Sequence, residues 1–411
     1  MSTEPNAVRQ RTGLRPESQH WVDASLTRKP RFNWREFVIR SLHYSGALGL
    51  SRRVSRSFEL QPGSSLRFPR FRRIQNPKFV ILCYHGIGES GNPLLAAPSA
   101  ELFESQMRFL CENYRVVSLD QVCQELESRA QGEPGIAITF DDGYLSSYTL
   151  AFPTLQKYKL PATIYLTVES VQTGQVAWYD RVFLAMAVAP GGELQLDLEG
   201  PWRFQLNSPH ERLRAAFEIV AFLRTLPNAR RRECCRLIEE RIGLPQNALS
   251  NRVLGWQQIH SMRSAGISFG SHTLTHPVVS RLSSLELESE LVGSKRALEE
   301  NLGCSVSHFA FPFGKASDCS ATAIQLLSHC GYRTAVTTVP GVNTPESNPF
   351  ELRRLQVGSD SSLARFAFDL NQTLLQSDFP FPLTSTTPDS CQTEERLRLK
   401  GDGLSLGDFD A

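Results

Sequence analysis

From Lys78 onward, short runs of apolar and β-branched residues alternate with segments of helical periodicity. This alternation constrains the fold more than any other feature of the sequence. A strand followed by a helix of ten to fifteen residues, repeated along a chain, is typical of parallel βα units. The predicted strands are 78–85, 135–140, 162–168, 267–272, 307–314, 333–338 and 351–357.

The regions on either side of this alternation differ from it in charge. Residues 1–75 hold 15 Lys and Arg against 5 Asp and Glu, so 1–77 is predicted to be a basic arm. Within it, 32–56 fits a basic amphipathic helix, which either lies on an anionic membrane surface or packs against the main domain. The domain itself is placed at 78–377. The segment 378–411, with 7 acidic and 3 basic residues, is predicted to be a disordered acidic tail.

The alternation is interrupted between about 171 and 250. Three segments there have helical periodicity, and a short polar β-like piece lies between the first and the second. We therefore expect a mostly helical insertion on the α/β core. Trp178 and Tyr179, at its start, could stack on a sugar or simply anchor the insertion.

Composition excludes several classes of protein. The 411 residues carry a net charge of only +2, which gives little support for a nucleic-acid partner. Nine scattered cysteines without a CxxC spacing indicate reduced thiols rather than a disulfide framework. No stretch has the pattern of a signal peptide or the length of a transmembrane helix. We expect a cytoplasmic protein with peripheral membrane contact through the basic arm.

Polar residues follow two of the predicted strands where those strands end. Asp141 and Asp142 follow 135–140, and His272 lies four residues before His276. A single helical turn would point both imidazoles the same way, and the carboxyl ends of strands in a parallel barrel converge on one mouth. Two histidines and a carboxylate suit a hydrolytic metal. Taken separately, the aspartates could be a helix cap with a solvated neighbour, and the histidines could be structural.

The motifs "TFDDG", "SHTLTH" and "FAFPFG", in this order after "CYHGIG", closely resemble the polysaccharide deacetylases of carbohydrate esterase family four. The resemblance covers roughly residues 78–370, with 171–250 as an insertion. It implies an α/β fold, a distorted (β/α)7-type barrel.

The resemblance also implies a role for each matching residue. Asp142, His272 and His276 would bind a divalent metal, and Asp141 would be the catalytic base. The backbone N–H of Phe313 would hold the oxyanion. Zinc is the expected metal for such a ligand set, and cobalt, nickel or iron would fit the same ligands.

The sequence departs from the family at the arginine that steadies the base in many members. Ala310 occupies that position here. Arg354 is the best substitute and Arg353 the second. The alternative is that Arg354 is a surface residue at a strand edge.

A second departure concerns the histidine that protonates the leaving amine in many members, since no histidine follows His329. Either Asp141 returns its own proton, or His85, at the end of the first strand, supplies one. His85 could also be a structural histidine in a turn. Tyr144 could line the substrate groove or be an aromatic buried against the next helix.

These features predict a metal-dependent hydrolase that removes N-acetyl groups from an N-acetylated polysaccharide or its lipid-linked precursor, in exopolysaccharide metabolism. A deformylase or an O-deacetylase on the same site is one alternative. A sugar-binding scaffold without activity is another, although such a protein has no reason to keep a base beside a metal ligand.

Overall fold

A computed structural model describes residues 78–88, 97–129, 132–245, 248–358 and 362–375. The basic arm at 1–77, with the amphipathic helix expected at 32–56, and the acidic tail at 378–411 lie outside the described residues. In the part of the chain that is described, the strands are β1 Phe79–Tyr84, β2 Arg115–Val116, β3 Gly135–Phe140, β4 Thr163–Leu166, β5 Glu193–Asp197, β6 Pro201–Gln205, β7 Ser268–Ser271, β8 His308–Ala310, β9 Thr334–Val336 and β10 Arg354–Gln356.

Eight of these strands form one parallel sheet in the order β10-β1-β3-β4-β7-β8-β9, with β2 paired to the start of β3. The two ends of the sheet meet, because Val336 at the end of β9 bridges in parallel to Leu352 just before β10. The sheet is therefore a nearly closed barrel of seven strands. The expected distorted (β/α)7-type barrel is confirmed.

Helices surround this barrel and also form the insertion. Those found among the described residues are α1 Ala100–Asn113, α2 Leu119–Glu127, α3 Phe152–Lys157, α4 Val168–Thr173, α5 Trp178–Val188, α6 Pro209–Leu223, α7 Asn228–Ile242, α8 Trp256–Ser264, α9 Ser284–Leu302, α10 Ala321–His329 and α11 Leu363–Leu375. A π-helical turn, Ser147–Ala151, precedes α3. No helix in the described ranges is both long and apolar enough to span a bilayer.

The two-residue period of the strands separates the core into layers. On β3, Ile136 and Ile138 point outward into the large cluster shared with the helices, whereas Ala137 belongs to the cluster inside the barrel. Successive side chains of a strand alternate between faces. Thr139 and Asp141 continue the inward series of Ala137, so the strand itself directs the first aspartate into the barrel.

The interrupted region contains α5, the antiparallel hairpin β5–β6, α6 and α7. These elements bury a separate apolar cluster, in which Phe183, Ile219 and Ile238 are almost fully covered. Cys234 and Cys235 are buried in the same cluster. The insertion therefore has its own core, and it reaches the barrel at one end of α5.

Three elements were not predicted from the sequence: β2, α2 and α4. β2 has only two residues, too few to show any periodicity. α2 begins with a capping box at Ser118 and Gln121, and its buried residues Leu119 and Val122 join the cluster inside the barrel.

Candidate active site

Asp141 lies inside the barrel and is paired with one arginine. The guanidinium of Arg354 donates to both carboxylate oxygens at 2.7 Å, and both residues are buried. Burial by itself raises the pKa of Asp141, but the charge and hydrogen bonds of Arg354 outweigh it and hold this pKa below its ordinary value. Asp141 is therefore a buried carboxylate that stays ionised.

Arg354 is held in place by the strands around it. Its Nε donates to the carbonyl of Thr337 at 2.7 Å and one Nη to the hydroxyl of Thr139 at 3.2 Å. Arg354 is fully buried, which excludes the alternative of a surface arginine, while Arg353 is exposed. Ala310 lies in the barrel interior too, so the guanidinium reaches the aspartate from β10 rather than from the end of β8.

Asp142 faces away from Arg354 and towards two histidines. Its φ of 68° is left-handed, a conformation that non-glycine residues rarely adopt and that is often found at functional sites. Oδ1 of Asp142 lies 3.5 Å from Nε2 of His272 and 3.4 Å from Nε2 of His276. Among the described residues, neither this oxygen nor Nδ1 of His276 has a hydrogen-bond partner, and both atoms are buried.

These three side chains fit a divalent cation. Bonds of about 2.0–2.2 Å in a tetrahedral arrangement place ligand atoms roughly 3.3–3.6 Å apart, which matches the distances from Asp142 Oδ1 to the two imidazole nitrogens. Burial lowers the pKa of His272 to about 4, so its ring is neutral at physiological pH, as a ligand must be. Nδ1 of His272 lies 2.8 Å from the carbonyl of Ala310, and a hydrogen bond there leaves Nε2 free for a metal.

The expectation that His272 and His276 share a helical turn is wrong. They lie in a loop after β7, in which Thr273 and His276 have φ values of 69° and 55°. The hydroxyl of Thr273 accepts the backbone N–H of His276 at 3.0 Å. The loop is sharply folded because two residues adopt left-handed conformations, and this folding brings both imidazoles to Asp142.

Glu290 on α9, which the sequence analysis missed, holds this loop. Its carboxylate accepts the backbone N–H groups of Leu274 at 2.7 Å and Thr275 at 3.0 Å, and also the hydroxyl of Thr275. The sequence contained a signal for it. Helical spacing places Glu290 on the same face as the buried Leu287 and Leu291, and a carboxylate on a buried face requires hydrogen-bond donors.

His85 lies at the mouth of the barrel beside Asp141. It is exposed, whereas Asp141 and Cys83 beneath it are buried. One potential ligand atom from each of these three residues lies within 4.8 Å of the others. The Sγ of Cys83 donates to Asp141 at 3.6 Å. His85 is therefore within reach of both Asp141 and solvent.

Phe313 lies at the rim of the site with a left-handed φ of 60°. Its ring centroid is 4.9 Å from that of His276, and the guanidinium of Arg224 lies 4.2 Å above the ring. Tyr144 is placed differently from a groove residue. It is buried, as in the alternative interpretation, but its hydroxyl donates at 2.6 Å to Asp180 of α5, which is not the next helix along the chain.

The first turn of α5 joins the insertion to the site. The indole N–H of Trp178 donates to the carbonyl of His276 at 2.8 Å. The ring of Tyr179 lies 4.7 Å from His276 and 6.0 Å from Phe313. Of the two alternatives for these aromatics, Trp178 anchors the insertion, whereas the half-buried Tyr179 faces the metal-ligand set.

The sequence matches the model of the polysaccharide deacetylase family over residues 128–335, about half of the chain. The chain belongs to this family, as the resemblance indicated, and it is therefore a carbohydrate deacetylase, a hydrolase. The matched range contains Asp141, Asp142, His272 and His276.

Two known proteins are similar to this chain in sequence. The Bacillus subtilis (strain 168) protein YxkH is 24% identical over 291 residues, which are 70% of this chain and 75% of that protein. The poly-β-1,6-N-acetyl-D-glucosamine N-deacetylase of Escherichia coli (strain K12) is 33% identical over 90 residues, which are 20% of this chain and only 13% of that protein.

Two solved structures are similar to this chain. The Streptococcus pyogenes deacetylase PplD in complex with acetate has a TM-score of 0.49 at 20% identity, covering 72% of this chain and 98% of that chain. IcaB from Ammonifex degensii has a TM-score of 0.46 at 20% identity, with the same coverage.

Proposed function

We propose that this protein removes N-acetyl groups from an N-acetylated glucosamine polysaccharide or its lipid-linked precursor by metal-assisted hydrolysis. One observation carries the proposal: an ionised, arginine-paired Asp141 lies next to Asp142, whose free oxygen faces His272 and His276. A base beside a set of metal ligands is the arrangement that hydrolysis of an amide needs.

Asp142, His272 and His276 would hold the metal, with zinc the expected ion. When bound, the cation would polarise the acetyl carbonyl and lower the pKa of a water molecule. Asp141 would take the proton of the attacking water. Its pairing with Arg354 keeps it ionised, and therefore ready to accept that proton, despite its burial.

The other groups at the mouth would complete the reaction. His85, exposed above Asp141, would protonate the leaving amine, with return of the proton from Asp141 itself as the second route. The backbone N–H of Phe313 would donate to the developing oxyanion. Tyr179 offers an aromatic face beside the site on which a sugar ring can stack.

The name of the Escherichia coli relative suggests a β-1,6-linked N-acetylglucosamine polymer as the substrate. The test is acetate release by purified protein from β-1,6- and β-1,4-linked N-acetylglucosamine oligomers, with added zinc and with EDTA. We expect acetate release to depend on zinc and to be faster from the β-1,6-linked oligomers than from the β-1,4-linked ones. Formate release from N-formylated analogues, without acetate release from either series, would favour the deformylase instead.

We further propose that the basic arm brings the enzyme to an anionic membrane surface, where a lipid-linked precursor would be found. The excess of positive charge in residues 1–75 supports this. Co-sedimentation with vesicles containing anionic lipid, compared with neutral vesicles, tests it. Equal recovery in the supernatant with both kinds of vesicle would contradict it.

A further inference from the structure

A cavity of about 190 Å³ lies between α4 and the first part of α7, behind the first turn of α5. Its wall includes Arg231 and Trp178 from the insertion, Thr167 and Ser170 from the barrel side, and Thr275 from the metal-ligand loop. The cavity therefore adjoins the active site without being part of the ligand set.

Two hydrogen-bond donors of residues in this wall lack acceptors in the part of the chain that is described. These donors are Nε of Arg231 and the hydroxyl of Thr167, and both residues are buried, with 3% and 1% of their surface exposed. A buried donor without a partner is rare in proteins, because it loses its hydrogen bonds to water and gains none. Two of them on one cavity indicate a ligand that supplies acceptors.

The charge of Arg231 is attracted only by carboxylates at a distance, those of Glu290 and Glu169. Its guanidinium donates to the side chain of Asn228 and lies 4.8 Å from the ring of Trp178, and it forms no ion pair among the described residues. Burial lowers its pKa to about 10. The nearby carboxylates are committed elsewhere, since Glu169 pairs with Arg232 and Glu290 accepts from the loop.

We propose that this cavity binds a phosphate-class oxyanion against Arg231 and Thr167. Such an anion supplies both acceptors and negative charge, and a guanidinium binds it with strong charge-assisted hydrogen bonds. The anion is either free phosphate or a phosphate group carried by a sugar. Through Trp178, which donates to the carbonyl of His276, an occupied cavity would stabilise the metal-ligand loop.

The test is calorimetric titration of the full chain with inorganic phosphate at constant ionic strength, together with melting curves. Three variants are compared: Arg231→Met, Thr167→Val and Arg230→Met. Arg230 precedes Arg231 on α7 but pairs with Glu199 on the surface, outside the cavity wall. Wild type and Arg230→Met should bind phosphate and melt several degrees higher in its presence.

Arg231→Met should weaken phosphate binding at least tenfold, and Thr167→Val severalfold. Arg231→Met should also remain folded, since the nearest carboxylates keep their own partners, Glu290 in the loop and Glu169 with Arg232. Equal binding by wild type and both cavity variants would overturn the proposal, and so would an absence of binding to wild type. If the methionine variant fails to fold, the Thr167→Val comparison decides.

Two further titrations separate the sources of the anion. If N-acetylglucosamine 1-phosphate binds more tightly than phosphate while N-acetylglucosamine does not bind, the cavity receives a phosphate carried by a sugar. If phosphate and the sugar phosphate bind equally, it receives the free anion. Binding of N-acetylglucosamine as tightly as its phosphate would contradict the proposal.

Discussion

Asp141 and Asp142 are neighbours in the chain, yet their carboxylates lie in different surroundings. The period of β3 directs Asp141 into the barrel, where Arg354 offsets its charge. The left-handed backbone of Asp142 directs the next carboxylate to the histidines. Arg354 offsets the charge of Asp141, and a cation bound between Asp142 and the two histidines would offset the second charge.

Arg354→Met tests the contribution of the arginine to the base. The variant leaves Asp141 buried without its partner, so the pKa of Asp141 should rise. The free energy of unfolding should fall by about 3–5 kcal/mol at neutral pH. In wild type, the lowered pKa of Asp141 stabilises the folded protein at pH values above about 3.9, the ordinary pKa of a carboxyl group. This stabilisation is lost as the pH falls through the pKa that Asp141 has in the folded protein. Denaturant unfolding against pH and the acidic limb of kcat/KM measure both effects.

The control for this variant is Arg353→Met, because Arg353 is exposed directly before β10. It should change neither the pH profile nor the stability by more than about 0.5 kcal/mol. An Arg354→Met protein with an unshifted acidic limb would show that Arg354 does not control the ionisation of Asp141.

Tyr144→Phe tests whether Tyr144 is structural or binds substrate. The variant removes its hydrogen bond to the buried Asp180, so it should destabilise the protein by about 1–3 kcal/mol and leave KM unchanged. Tyr158→Phe, which loses a hydrogen bond to Glu104 near the surface, is the control and should cost less. A raised KM with unchanged stability would instead assign Tyr144 to the substrate groove.

At the scale of elements, Glu290 of α9 binds the loop that carries His272 and His276. Glu290→Ala removes both acceptor oxygens, so the bonds to the backbone N–H groups of Leu274 and Thr275 and to the hydroxyl of Thr275 are all lost. Residues that orient metal ligands commonly change affinity by about 10–100-fold. We therefore expect zinc to bind at least tenfold more weakly, as measured by competition with a chelator.

Glu288→Ala is the matched control, since Glu288 is exposed on the same helix, and it should leave zinc affinity unchanged. Equal affinity in both variants would mean that the loop keeps its shape without Glu290.

Elements with a clear period were mostly predicted from the sequence, but α2 was missed although Leu119, Val122 and Leu126 have helical spacing. The prediction for β3 matches the structure residue by residue, because an apolar β-branched run ends there at two carboxylates. The loop of His272 and His276 could not be predicted, because Thr273 and His276 adopt a left-handed conformation that is rare for residues other than glycine. The sequence likewise could not show that Arg354 rather than Arg353 pairs with Asp141, because this depends on which side of β10 faces the barrel.

At the scale of the whole molecule, the barrel and the insertion meet at the predicted metal ligands. His272 and His276 lie on the barrel loop, while Trp178 of the insertion binds the carbonyl of His276. Metal binding at this point should therefore stabilise the molecule as a whole. Zinc at a hundredfold excess over its Kd should add roughly 2.7 kcal/mol to the free energy of unfolding.

Melting curves with zinc and with EDTA test this linkage. His276→Gln should abolish the difference in Tm between the two conditions. His260→Gln, at an exposed histidine of α8, should retain it. A zinc-dependent Tm that persists in His276→Gln would place the metal elsewhere.

The central claim is that Asp141 is the base of a metal-dependent deacetylase. The most direct measurement is zinc-dependent acetate release from N-acetylglucosamine oligomers by wild type and by the double variant Asp141→Asn, Arg354→Met, with zinc content measured in both. Because this variant removes both members of the buried pair, no charge is left without a partner. We expect it to bind zinc as wild type does and to release acetate about 10²–10⁴-fold more slowly. A double variant that holds zinc and releases acetate at the wild-type rate would contradict the claim.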